Sequence, residues 1–318
     1  MTPAPGPISQ TSLSELEQAL AEEGLFVDYG ACVVRLRSRL KGFAHSLRGV
    51  YGSFAFMPEA PFADLHVRVD PGRGLRRWLR PNARFSIDGV EPFDPFPLAS
   101  ALPLYEWGVN WCFAQRFNQH VLLHAGALAR AERAVIMAAT PGSGKSTLSA
   151  AMMLRGFRLL SDEFGVLCPE SGALLPMLKP VALKNQSIDL IRGFSGEAVL
   201  GPVHYATRKG DVAHLAPDAA SVAAMHRPAR PALVIFPRWR EGAALAVEPQ
   251  AREQAFARLA FNSFNYRLLG PVSFDAVADL AAACPAVQLT YSRLDEAIEA
   301  IHRLLDEPPA VGGVEGER

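Results

Sequence analysis

Seven consecutive residues, Thr140-Pro141-Gly142-Ser143-Gly144-Lys145-Ser146, combine the residue types that hold a phosphate chain. Gly142 and Gly144 leave backbone N–H groups unhindered, free to point inward at phosphate oxygens. Lys145 is a compact point charge suited to bridging β- and γ-phosphates, and the Ser146 hydroxyl is a hard oxygen ligand suited to Mg²⁺. The stretch follows the pattern G-x-x-x-x-G-K-[ST] except that Ala139 takes the first position. The expected nucleotide-binding residues are therefore Pro141, Gly142, Ser143, Gly144, Lys145, Ser146 and Thr147. Two adjacent carboxylates, Asp162 and Glu163, follow after an intervening helix and strand. One can enter the Mg²⁺ shell with Ser146 while the other accepts the proton of an attacking hydroxyl. Asp162 is assigned as base and Glu163 as metal ligand, with the reverse left open.

Such chemistry needs elements that aim these groups at one point. Residues 134–139 form an apolar run short enough for a buried strand, and 147–154 favour helix until Gly156 stops it. Residues 157–161 then form a second strand, which delivers Asp162 and Glu163. Upstream, 102–117 carries apolar and aromatic residues at helical spacing, and 121–129 is a strand interrupted by His124. Downstream come a hairpin over 165–178, a short helix over 188–192 capped by Ser187, and an extended pattern over 203–215. Strands at 232–236 and 287–291 alternate with helices at 251–261, 274–283 and 294–305. The N-terminal hundred residues read as a helix ending before Gly24, a strand over 25–36, and short strands at 63–69 and 84–87.

The whole chain has 318 residues, of which 49% are hydrophobic, enough for a large core and two domains. The expected division is an N-terminal α+β part over 1–100, a kinase domain over 101–306, and a disordered tail over 307–318. Lys plus Arg and Asp plus Glu are 32 each, and no basic stripe argues for nucleic acid. The first ten residues lack the pattern of a signal peptide, and no apolar run is long enough to span a membrane. Four scattered cysteines fit reduced thiols in a cytoplasm. Four of the five lysines, Lys145, Lys179, Lys184 and Lys209, lie between residues 139 and 210, where point charges would face phosphates. Lys184 stands just before an expected helix N-terminus, a place that favours anions. Neither the signature of transporter ATPases nor the guanine-binding Asn-Lys-x-Asp is present, so ATP is the expected nucleotide.

From residue 121 onward the chain resembles the HPr kinase/phosphorylase family. Leu123-His124-Ala125, the glycine-rich stretch, Leu154-Arg155-Gly156 and Arg158-Leu159-Leu160-Ser161-Asp162-Glu163 correspond to that family's strand, loop, helix end and acidic pair. Within it, Lys179-Pro180, Leu183-Lys184-Asn185-Gln186-Ser187-Ile188, Lys209-Gly210 and Glu106-Trp107-Gly108-Val109-Asn110 resemble the branch called HPr kinase-related kinase A. The resemblance implies an α/β fold with a mixed sheet of the HPr kinase and phosphoenolpyruvate carboxykinase type, built around a P-loop kinase core. It further implies a carboxylate base and His124 beside the transferred phosphate. Lys184, Asn185, Lys209 and His214 would then hold an anionic acceptor. The Glu-x-Arg-Gly-x-Gly stretch of true HPr kinases is missing and the family's two aspartates are Asp162-Glu163 here, which points away from HPr as acceptor. The expectation is an ATP- and Mg²⁺-dependent kinase acting on a small hydroxyl or carboxylate acceptor, for instance an amino acid. The alternatives are a protein or peptide serine kinase and an ATP-binding regulatory module; self-association is left open.

Overall fold

A computed structural model describes residues 6–74, 80–140 and 142–309. Pro141 and residues 310–318 of the expected tail lie outside the described residues. The fold is mixed α/β. It divides into two compact units, Met1–Arg116 with Lys179–Ala223, and Phe117–Leu178 with Ala224–Arg318. The division does not fall at residue 100, and the reason is local. The helix Ala101–Arg116 packs on the sheet of the first unit, so closely that a Cβ on Gly108 would lie 2.3 Å from the Phe85 ring.

In the first unit, five strands stand in the order Leu25–Asp28, Val33–Ser38, Leu65–Pro71, Asn82–Ile87 and Phe96–Pro97. The single strand expected over 25–36 is thus a hairpin. Its turn holds Gly30 at a φ of 91°, and the Asp28 carboxylate accepts the Gly30 N–H at 2.8 Å. The first helix, Leu13–Ala21, begins where Ser12 and Glu15 cap each other reciprocally. The helix Phe43–Tyr51 has no counterpart in the sequence expectations. A separate three-stranded sheet sets Gly210–Leu215 between Val181–Lys184 and His204–Thr207. The expected 203–215 run is two strands, because Gly210 turns the chain at a φ of 87°.

The second unit is built around one long strand, Val121–Arg130. On one side it pairs antiparallel with Arg133–Ala138, which lies parallel to Arg230–Trp239, itself parallel to Ala286–Tyr291. On the other it pairs in succession with Arg158–Ser161 and Phe164–Leu167. One sheet face packs Leu123, Ala125, Ile136, Val234 and Phe236 against Leu259, Val277 and Leu280 of the helices Arg252–Phe261 and Pro271–Ala283. Because strand side chains alternate, Gly126 points to the opposite face, where the helix Lys145–Leu154 lies over it. Among the described residues no helix is long and apolar enough to cross a membrane.

Candidate functional site

The strand Arg133–Ala138 is paired on both sides as far as Met137 and with Ala125 at Ala138, and the chain leaves the sheet at Ala139. It then turns sharply. Gly142 and Gly144 adopt φ of 87° and 88°, a left-handed region that β-carbons oppose, and Gly144 caps the N-terminus of Lys145–Leu154. The turn is fastened at its exit. Trp239 N–H donates to the Ser143 carbonyl at 3.0 Å and the Tyr291 hydroxyl donates to the Gly144 carbonyl at 3.3 Å. Around Gly142 a Cβ would meet nothing within 4 Å, so the mouth of the turn is open. Ser146 and Thr147 are half-buried in the first turn of the helix.

Lys145 does not extend into solvent. It is 9% exposed, its stem runs beside Gly126, and its ammonium donates to the main-chain carbonyl of Asp162. An ammonium has three donors, so this bond anchors the charge without using it up. Gly126 makes the approach possible: a Cβ there would lie 2.8 Å from the Ser149 hydroxyl. A glycine inside an apolar strand is a signal for close approach, and it was available in the sequence.

Asp162 and Glu163 are the two residues between Arg158–Ser161 and Phe164–Leu167, where the chain steps out of its pairing with Val121–Arg130. Ser161 holds this break, its hydroxyl accepting from Glu163 N–H at 3.3 Å and Phe164 N–H at 3.0 Å. Ser161 escaped the sequence expectations although a serine before two acidic residues is an ordinary turn signal. Asp162 is 8% exposed and its Oδ1 is buried without a hydrogen-bond partner among the described residues. The Ser143 hydroxyl is buried and unpartnered in the same way. Glu163 is more exposed, and its carboxylate stands 3.5 Å from Nε2 of His124. The imidazole also packs against Phe264, while its main-chain N–H donates to the Asn262 carbonyl at 2.5 Å. Nothing in the sequence tied Trp239, Tyr291, Asn262 or Phe264 to this place, because each arrives from a distant strand or loop.

Lys145, Ser146, Asp162, Glu163 and His124 are thus brought together in the second unit. The four residues expected to hold an acceptor belong to the first unit and play separate parts there. Lys184 is exposed at a strand end, its main-chain N–H and carbonyl both bonded to the Ser187 hydroxyl. That bond replaces the expected cap, and the helix begins earlier, at Gln186. Asn185 shapes a turn at a φ of 50°, its side-chain oxygen accepting from Asp211 N–H at 3.1 Å. The Lys209 ammonium lies 4.8 Å over the Trp107 ring. His214 is 2% exposed, and burial lowers its pKa to about 4. A neutral, enclosed ring brings no positive charge to an anion at the surface, so His214 is a core residue.

An open turn of left-handed glycines at a helix N-terminus, a buried ammonium and an unpartnered carboxylate can together hold an anion and take a proton from a group beside it. The hydroxyl of Ser146 and the two carboxylates supply the hard oxygen donors that Mg²⁺ takes. The chain matches no protein-family model, and no curated protein matches it.

Proposed function

We propose that the chain is an ATP- and Mg²⁺-dependent phosphotransferase on a P-loop core of the HPr kinase type, moving the γ-phosphoryl group to a hydroxyl or carboxylate of a small acceptor. The observation that carries this reading is the bond from the Lys145 ammonium to the main-chain carbonyl of Asp162, which ties the lysine that follows the glycine turn to the acidic pair. Backbone N–H groups of the turn would bind phosphate oxygens, and Lys145 would neutralise the charge that moves with the γ-phosphoryl group. Asp162 would take the proton from an acceptor hydroxyl as its oxygen bonds to phosphorus and the bond to the β–γ bridging oxygen breaks, releasing ADP. A carboxylate acceptor would need no such proton transfer. Mg²⁺, held by Ser146 with Glu163 or Asp162, would supply further charge neutralisation. His124 would orient Glu163 across their 3.5 Å contact.

Two variants separate the parts of the proposal. Lys145→Ala should abolish Mg·ADP binding measured by calorimetry. Asp162→Asn should keep nucleotide affinity yet lose about 100-fold or more of acceptor-dependent ADP release, the usual worth of a general base. Undiminished turnover in Asp162→Asn would overturn its role as base. Nucleotide binding indifferent to Lys145→Ala would overturn the site as a whole.

A further inference from the structure

The second unit contains a cavity of about 300 Å³ lined by Thr140, Pro237, Ala257, Arg258, Phe261 and Asn262, together with the strand end at Ala138. We infer that this cavity is the acceptor site, and that the acceptor is a small carboxylate with an apolar body. The inference deepens the kinase proposal and rests on it.

Position is the first argument. The glycine turn has two ends with different neighbours. Its exit, Ser143–Gly144, is closed by Trp239 and Tyr291. Its entry, Thr140, borders the cavity. The cavity wall also includes Asn262, whose carbonyl accepts the main-chain N–H of His124, and His124 stands against Glu163. The cavity thus borders the entry of the turn and has a wall residue bonded to the strand that carries His124, the neighbour of Glu163. Its volume is at the lower end for ligand pockets and suits a molecule of amino-acid size.

Chemistry is the second argument. Pro237, Ala257 and Phe261 give apolar walls, and Phe261 is 85% exposed at the rim. Among the described residues, Arg258 is the one charged group in the lining. Its guanidinium lies 3.6 Å from the centre of the Phe236 ring, and Nη1 donates to the neutral side chains of Gln250 at 3.1 Å and Gln288 at 3.5 Å. Among the described residues no carboxylate pairs with it. A half-buried guanidinium without a counter-ion is costly, and a ligand carboxylate would complete it through the planar fork.

The probes are 2-hydroxyisocaproate, its amide and lactate, titrated calorimetrically into the full chain with and without Mg·ADP. The branched acid should bind at least tenfold more tightly than either lactate or the amide. Ala257→Phe, at an exposed helix position, should fill the cavity and weaken the acid tenfold or more while the ADP affinity stays within twofold. Arg258→Gln should bring the acid down to the affinity of its amide and leave the amide unchanged, which a merely structural arginine would not do. The inference falls if the wild-type chain does not prefer the branched acid. It also falls if Ala257→Phe leaves acid binding intact, or weakens ADP instead and so makes the cavity a nucleoside pocket. The kinase proposal is read from ADP binding in Lys145→Ala and from turnover in Asp162→Asn, neither of which involves the cavity residues, so the two can fail separately.

Discussion

Asp162 is the residue on which the site turns. A buried carboxylate oxygen without a partner costs folding free energy unless something completes it, and the main-chain carbonyl of the same residue holds the Lys145 ammonium. Such local instability is expected where a ligand supplies the missing bond. His214 shows the opposite use of burial. Its ring is held neutral mainly by loss of solvent, with His204 and Lys179 adding to the effect and Glu106 opposing it. Its folded pKa of about 4 lies below the ordinary value of about 6.5, so the unfolded chain takes up the proton first. The stability it contributes is therefore full above pH 6.5 and is lost as pH falls toward 4, an effect of roughly 3 kcal/mol. In urea unfolding at pH 7 and pH 5, His214→Leu should show a smaller acid loss of stability than the wild-type chain. An equal loss in both would show that the ring is not the titrating group.

At the scale of elements, the site is made by two interruptions of one sheet. The strand Arg133–Ala138 ends in the glycine turn, and the partner on the far side of Val121–Arg130 breaks at Asp162–Glu163. Both breaks occur beside Gly126, whose missing side chain admits Lys145 and Ser149. The two turn glycines should respond differently to substitution. Alanine at either accepts a left-handed backbone at a cost of about 1–2 kcal/mol. At Gly144 the new Cβ also lies 2.7 Å from the Tyr291 hydroxyl and 2.9 Å from Trp239 Cβ, whereas at Gly142 it meets open space. Gly144→Ala should therefore lower the thermal midpoint several degrees more than Gly142→Ala and weaken Mg·ADP more, read by calorimetric scanning and titration. Equal effects would mean that Tyr291 and Trp239 yield freely.

At the scale of the whole molecule, the chain leaves the first unit after Arg116 and returns to it at Lys179. Departure and return are joined within that unit by one buried network. Lys179 pairs with the Glu106 carboxylate at 3.2 Å and donates to the Asn110 side chain at 2.6 Å, while Tyr51 donates to Glu106 at 2.5 Å. Tyr29 links Tyr51 and Tyr105, and burial pushes all three phenols well above their ordinary range. Removing one member strands the other charge. Lys179→Met should cost about 3–5 kcal/mol in equilibrium unfolding, and the pair Lys179→Met/Glu106→Leu should recover part of it. A double variant no better than the single one would show that the cost is lost packing.

The strand, the glycine turn and the helix that follows it, with the residue types that could hold a phosphate, were legible because backbone conformation and periodicity leave marks at short range. Gly142, Gly144 and the apolar run before them are such marks, and so is the alternation of strands and helices after residue 230. The motif residues Glu106, Asn110 and Lys179 were also visible, but their meeting in one buried network was not, since more than sixty residues separate Lys179 from the other two. Long-range packing decided the rest. It assigned the helix Ala101–Arg116 to the first unit, buried His214, turned Lys209 onto Trp107, and brought Trp239, Tyr291 and Asn262 to the ends of the glycine turn. Sequence by itself determined which residues could bind a phosphate chain, because that depends on local backbone and side-chain type. Tertiary structure alone decided which groups surround it and what else can reach it, because sheet pairing and burial join residues that share no local pattern.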